Sequence, residues 1–157
     1  MKKALITIIT VFVLDQLSKW YILEHVMNPP KVLRINDFLN IVLAWNRGVS
    51  FSMFANGGEF TPHILTIITV VIFCGLIYWI RKEKSQANQV LLALIAGGAL
   101  GNIVDRIRFK AVVDFIDFYI YDYHWPAFNI ADSAICVGAI LFMVYPYLTN
   151  KKEKESK

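Results

Sequence analysis

Thr61 to Val104 reads TPHILTIITVVIFCGLIYWI, then Arg81-Lys82-Glu83-Lys84, then SQANQVLLALIAGGALGNIV. Each flank is 20 residues long and holds no Asp, Glu, Lys or Arg. A helix rising about 1.5 Å per residue needs ~20 apolar residues to cross a bilayer core, so each flank is one span. The stretch therefore reads as a transmembrane hairpin with a basic tip.

Two more spans lie outside it. Ser133 to Asn150 is again free of Asp, Glu, Lys and Arg, and Ala4 to Leu14 continues through Asp15-Gln16-Leu17-Ser18-Lys19-Trp20-Tyr21-Ile22-Leu23. The expected spans are 4–23, 61–80, 85–104 and 133–150. Met1-Lys2-Lys3 and the apolar run after it resemble the start of a secretory signal, but no small-x-small cleavage pair follows Leu14, so a retained first helix is expected. Trp20 and Tyr21 then fall at an interfacial aromatic belt.

Composition agrees. Of 157 residues, 57% are hydrophobic and 18% charged, with a net charge of +4; soluble domains carry about 25% charged residues. Mean hydropathy is +0.50. This favours one membrane-embedded domain over 1–157 and speaks against disorder and nucleic-acid binding. Cys74 and Cys136 both sit in apolar runs, which supports neither a disulfide nor a thiolate metal site and predicts buried spectator thiols.

The basic residues sort by loop. Lys2, Lys3, Arg81, Lys82, Lys84, Lys151, Lys152, Lys154 and Lys157, nine of the 16, share one side, and the two long loops opposite hold three each. The positive-inside rule then puts both termini in the cytoplasm and residues 24–60 and 105–132 outside. These outer segments are not plain linkers. Phe38-Leu39-Asn40-Ile41-Val42-Leu43-Ala44-Trp45 is apolar and β-prone, and it is expected at the membrane surface. Asn46-Arg47-Gly48 and Asn56-Gly57-Gly58 are turn signals. Val112 to Tyr119 is apolar with isolated carboxylates.

Charged groups near membrane depth are costly and mark function by default. Asp15, Asp105, Arg106, Asp114, Asp117, Asp122 and Asp132 converge on the outer boundary. Asp15 and Lys19 share a helix face as an i,i+4 pair, and Gln16 beside them can reach a neighbouring helix. Asp105-Arg106 reads as a local clasp. Gly97-Gly98-Ala99-x-Gly101 reads as a close-packing face, and a buried Asn102 must find partners, a carboxylate or a substrate carbonyl among them. His25, His63 and His124 lack zinc spacing. Ser18, Ser50, Ser52 and Ser133 have no activating neighbour in sequence.

What remains is carboxylates in an apolar boundary zone. Two close carboxyl groups do not both ionise cheaply, so one keeps a proton while the other takes one from water, as aspartyl hydrolysis requires. Spacing does not say which two of Asp105, Asp114, Asp117, Asp122 and Asp132 pair. An ion or proton pathway and a structural membrane subunit stay open on these residues alone.

Asp15-Gln16-x-x-Lys19, Asn46-x-Gly48, Gly97-Gly98-Ala99-x-Gly101-Asn102-x-x-Asp105-Arg106, Val112-Val113-Asp114-Phe115 and Phe128-Asn129-x-Ala131-Asp132, in this order and spacing, resemble the lipoprotein signal peptidase family. These are bacterial membrane aspartyl endopeptidases, also called signal peptidase II, acting on prolipoproteins whose cysteine carries diacylglycerol. The resemblance implies that Asp114 and Asp132 are the catalytic dyad. It implies that Asn46, Arg106 and Asn129 line the groove and hold the dyad, that Asp15 and Lys19 support it, and that Gly48, Asn102 and Asp105 are substrate-binding or dyad-supporting as well, while Asp117 has no such role. The implied cut is on the N-terminal side of the lipidated cysteine, without metal or cofactor. The implied partners are diacylglyceryl-modified prolipoproteins and membrane lipids, with no nucleic acid. The implied location is the bacterial cytoplasmic (inner) membrane, multi-pass, with the active site toward the extracytoplasmic face. The expected architecture is an all-α membrane protein, four transmembrane helices with a small extracytoplasmic β-like cradle and surface loop segments. The alternative is a small ion or proton conductor using the same aspartates, against which the lack of an internal repeat argues mildly.

Overall fold

The computed structural model describes the backbone of residues 1–48 and 61–155 and the side chains of 1–48 and 63–147. The turn signal at Asn56-Gly57-Gly58 and the serines Ser50 and Ser52 lie outside the described residues. Among the described residues four long helices form: α1 (Lys2–Tyr21), α2 (Thr61–Lys82), α3 (Gln86–Phe109) and α4 (Ile130–Glu155). A π-helical turn, Ile22–Val26, extends α1. All four helices are long and apolar enough to cross a membrane.

Helix α3 is the hub. More than half of its apolar window, 56%, is buried, against 11–22% for the other three. Small residues make that possible, because they let backbones approach. A Cβ at Gly97 would stand 2.8 Å from Val11 Cβ, one at Gly98 would meet the Ala131 carbonyl, and one at Gly138 would stand 2.9 Å from the Leu91 carbonyl. The sequence reading of Gly97 to Gly101 as a packing face holds, with Gly101 set against the Asp15 carboxylate.

The packing gives α1 and α3 the same direction. The Met1 amine donates to Gln89 Oε1 at 2.8 Å at one end, and Gln16 Nε2 donates to Asp105 Oδ1 at 2.9 Å near the other. Ala4, Ile8, Leu76, Ile80, Leu92, Ala93 and Ala96 fill the core at the Met1 end. Leu5, Ile9, Ile67, Val71, Ile140 and Met143 point outward, as a lipid-facing surface requires. The thiols Cys74 and Cys136 are exposed as well, not buried as expected. An apolar residue on a span has two apolar destinations, core and lipid, and composition does not choose between them.

The mostly helical class holds, but the chain is not all-α. Strands β1 (Leu33–Arg34), β2 (Leu39–Asn46), β3 (Val112–Ile120) and β4 (Tyr123–His124) form an antiparallel sheet in that order. The β-prone stretch from Phe38 to Trp45 is realised as β2, one residue along. It pairs with β3 in a register that sets Asn40 opposite Asp117, Ala44 opposite Asp114 and Asn46 opposite Val112, with an irregularity between Ile41 and Ala44. Ile22, Met27 and Phe115 form a second core beneath the sheet. The spans outrun their expected limits because polar residues continue the helices: α3 takes in Asp105 and Arg106, expected in the outer loop, and α4 begins before Asp132 and runs on through Lys151.

Candidate active site

One end of the helix bundle meets the sheet, and buried polar side chains gather there. Asp15, Lys19, Asn102, Asp105, Asp114 and Asn129 are all buried. Burying that many polar groups is tolerable only when each finds partners.

The foundation is Lys19. Its ammonium has three N–H donors, and it faces three acceptors: Asp15 Oδ2 at 2.8 Å, Asp105 Oδ2 at 2.8 Å and Asn102 Oδ1 at 3.2 Å. The i,i+4 pair read from sequence exists, as part of a buried triad with a second carboxylate. The clasp expected between Asp105 and Arg106 does not form. On a helix, adjacent residues point about 100° apart, so Asp105 turns inward to Lys19 and Gln16 while Arg106 donates to the Asn102 carbonyl at 3.5 Å.

Each carboxylate of the triad also takes a backbone N–H. Asp105 Oδ2 accepts from Val113 N at 3.1 Å, and Asp15 Oδ1 accepts from Ala131 N at 2.9 Å. Val113 and Ala131 immediately precede Asp114 and Asp132. The triad thus anchors the backbone beside both aspartates, one on a strand and one on a helix.

Asp132 is held by a helix start. Asn129 stands just before α4, its Oδ1 accepting from Asp132 N at 2.9 Å, while Asp132 Oδ2 accepts from Asn129 N at 3.3 Å. This is a capping box, with an acidic residue in the first turn where the helix dipole favours negative charge. Asp132 Oδ1 accepts from Asn102 Nδ2 at 2.8 Å.

Asp114 sits at the strand end of the same cluster. Its Oδ1 accepts from Asn129 Nδ2 at 2.7 Å and its Oδ2 from Asn46 Nδ2 at 3.0 Å. Gly48 N donates to Asn46 Oδ1 at 3.1 Å, which turns the amide nitrogen toward Asp114. Arg106 lies in the field of Asp132, Asp114 and Asp105. Burial, reinforced by the negative charge of Asp132, pushes the Asp114 carboxyl up to about 7, against the opposing pull of Asn46, Asn129 and Lys19. Near neutral pH this carboxyl therefore carries a proton much of the time.

Of the five aspartates among which spacing did not choose, the structure brings Asp114 and Asp132 together and commits Asp105 to Lys19. Asp117 is also buried, but three residues along a strand puts it on the opposite face from Asp114. There it accepts from Asn40 Nδ2 at 2.9 Å and contacts His124 Nδ1 at 2.8 Å. Asp122 is exposed beside the Tyr121 turn. Asn40 drew no notice in the sequence; its signal was a polar residue inside an apolar strand. Among the described residues no His/Cys/Asp/Glu group has the arrangement of a metal site.

A buried aspartate on a strand and a half-buried one at a helix start, with an N–H donor on each oxygen, thus stand together in this chain, and the chain as a whole has counterparts among known proteins. The family model for signal peptidase (SPase) II matches residues 7–148. The chain belongs to the signal peptidase II family. Lipoprotein signal peptidases of Coxiella burnetii and Shewanella baltica are 43% and 41% identical to it, over 90% and 94% of this chain and 87% of theirs. A bacterial membrane enzyme solved by the in meso method at 2.3 Å resolution superposes with a TM-score of 0.81 and 31% identity, over 100% of this chain and 94% of that one. As a signal peptidase II family member with four apolar helices, the chain is a transmembrane protease, a hydrolase of lipoprotein processing.

Proposed function

We propose that the chain is an aspartic endopeptidase that removes the signal peptide from diacylglyceryl-modified bacterial prolipoproteins, cutting on the N-terminal side of the lipidated cysteine. The observation that carries the reading is the pairing of Asp114 with Asp132, each oxygen of both carboxylates held by an N–H donor. Residues 1–157 act as one membrane-embedded peptidase domain.

Asp132 is the base. Asn102 Nδ2 and Asn129 N orient its carboxylate, which takes a proton from a water as that water attacks the scissile carbonyl. Asp114, holding its proton, hydrogen-bonds the carbonyl oxygen as negative charge develops there. The proton then passes to the leaving amine. Asn46, Asn102 and Asn129 keep the carboxyl planes fixed, Gly48 fixes Asn46, and Arg106 supplies positive charge beside the pair. No covalent intermediate is required, and neither a metal nor a cofactor.

The reading has a direct test. Purified protein in one bilayer or detergent should convert a diacylglyceryl-modified precursor to its shorter form and leave the unmodified precursor largely intact; equal cleavage of both would count against it.

Two further expectations belong to this reading. The aspartates lie at the bundle end away from Lys2, Lys3 and Arg81-Lys82, so the positive-inside rule gives cytoplasmic termini and an extracytoplasmic site in the inner membrane, with β1 to β4 as a cradle against lipid. With exposed Cys74 and Cys136 first replaced by Ala, Glu83→Cys should label only from the cytoplasm and Tyr123→Cys only from outside. Labelling of Tyr123→Cys from the cytoplasm would reverse the topology.

The second concerns pH. Because Asp114 must be protonated to act, kcat/KM should fall as pH rises through about 7. Asn46→Ala removes a donor that favours the Asp114 anion, so the proton is held to higher pH and the alkaline limb should move upward, whatever the loss of rate. A pH–rate profile reads this; a limb that moved down would contradict the assignment of Asp114 as the acid.

A further inference from the structure

Lys19 lies one side chain away from the pair, and its chemistry restricts what stands between. An ammonium donates and never accepts. The Asn102 group facing Lys19 Nζ at 3.2 Å must therefore be its oxygen, and that oxygen also accepts from Asn129 Nδ2 at 3.4 Å. The only part of the carboxamide left for Asp132 is Nδ2, which donates at 2.8 Å. With Lys19 absent, only the longer 3.4 Å bond from Asn129 Nδ2 would oppose a turn of the amide that presents its oxygen to Asp132. A carboxylate facing a carbonyl oxygen is repelled, whereas a protonated carboxyl donates to it, so the orientation of one amide decides which state of Asp132 is favoured.

We propose that Lys19 is a positioning residue for the reaction, acting through the Asn102 amide to keep Asp132 the proton acceptor. The proposal deepens the aspartic-peptidase reading and rests on it. The charged groups around the pair are Asp15 and Lys19 from α1 and Asp105 and Arg106 from α3, with Asp114 on β3 and Asp132 on α4. Asp15 and Asp105 hold the ammonium where it faces Asn102. Arg106 donates to the Asn102 backbone carbonyl, not its amide, and so leaves the side chain free to be set by Lys19.

Lys19→Met alone would strand two buried carboxylates and could fail to fold, so the variant to use is the neutral core Lys19→Met/Asp15→Asn/Asp105→Asn, with far-UV circular dichroism and thermal melting in detergent as the folding check. Two readouts follow. With the lipidated precursor, kcat should drop by about ten- to a hundredfold, the range for losing one hydrogen bond to a charged group, while KM changes little. The control for a purely electrostatic or packing effect is Asn102→Ala: added to the neutral core it should lower kcat little further, because the two changes break the same link. Additive losses would overturn the proposal.

The second readout needs no substrate, and so separates failure of this proposal from failure of the peptidase reading. In Asp114→Asn, infrared spectra at pH 7 should show no protonated-carboxyl band from Asp132. In the neutral core carrying Asp114→Asn, such a band should be present, and adding Asp132→Asn should remove it. A neutral core in which Asp132 stays ionised would overturn the proposal even if its kcat had fallen.

Discussion

Asp114→Asn and Asp132→Asn should each abolish processing of a lipidated precursor, lowering the rate by at least the ~10²- to 10⁴-fold that a positioned acid or base contributes. An amide at 132 takes no proton from water, and an amide at 114 has none of the right acidity to give to the leaving group. The loss should not come from unfolding. Asp114 is pushed up to about 7, so the folded state prefers it protonated; stability linked to it is present at low pH and falls as pH rises toward that value. Asp114→Asn removes this dependence, and its melting temperature at pH 8 should equal or exceed that of the wild type. Asp117→Asn is the internal control. Its side chain meets Asn40 and His124 on the other face of β3, and it should keep substantial activity. Near-wild-type cleavage by either dyad variant would remove the basis for the mechanism.

Asp105→Ala should have the largest effect on stability. Its carboxylate pairs with Lys19 and accepts from Gln16 Nε2 and Val113 N, all at 2.8–3.1 Å. Removing it leaves a buried ammonium short of one partner and a backbone N–H with none. Breaking one side of a buried ion pair costs about 3–5 kcal/mol. The melting temperature in detergent should therefore fall well below that of wild type. Activity of the remaining folded protein should fall too, since Val113 positions Asp114. A melting temperature unchanged from wild type would contradict the reading of Lys19, Asp15 and Asp105 as the foundation of the site.

Much of this was legible in the sequence because bilayer thickness leaves a direct mark. A run such as Thr61 to Ile80 without charge has one economical structure, and the small residues from Gly97 to Gly101 announce a close approach before any partner is known. Four spans and their order follow. The sheet was harder to see. Phe38 to Trp45 is β-prone by composition, but the partner that fixes its register, Val112 to Ile120, lies more than sixty residues away, and pairing over that distance has no local signature. The same limit applies to charges. Asp15 and Lys19 are neighbours on one helix and could be paired from spacing; Asp105, which completes the triad, looked instead like a partner for adjacent Arg106. Only the packing of α1 on α3 shows that Lys19 takes it. Which aspartates pair was beyond spacing for the same reason, and Asp114 and Asp132 were singled out only by the family resemblance that the motifs in Val112 to Phe115 and Phe128 to Asp132 help carry. The thiols show the converse failure, since an apolar neighbourhood in sequence does not distinguish the interior from lipid.

The most direct measurement is the mass of the product. Purified protein should be incubated with a diacylglyceryl-modified precursor, with and without a strong chelator, and the products weighed by intact-mass spectrometry. One cut is expected, immediately N-terminal to the lipidated cysteine, at the same rate with and without chelator, and no cut by Asp114→Asn or Asp132→Asn. A cut elsewhere, or a reaction stopped by the chelator and restored by added metal, would contradict the aspartic-peptidase reading.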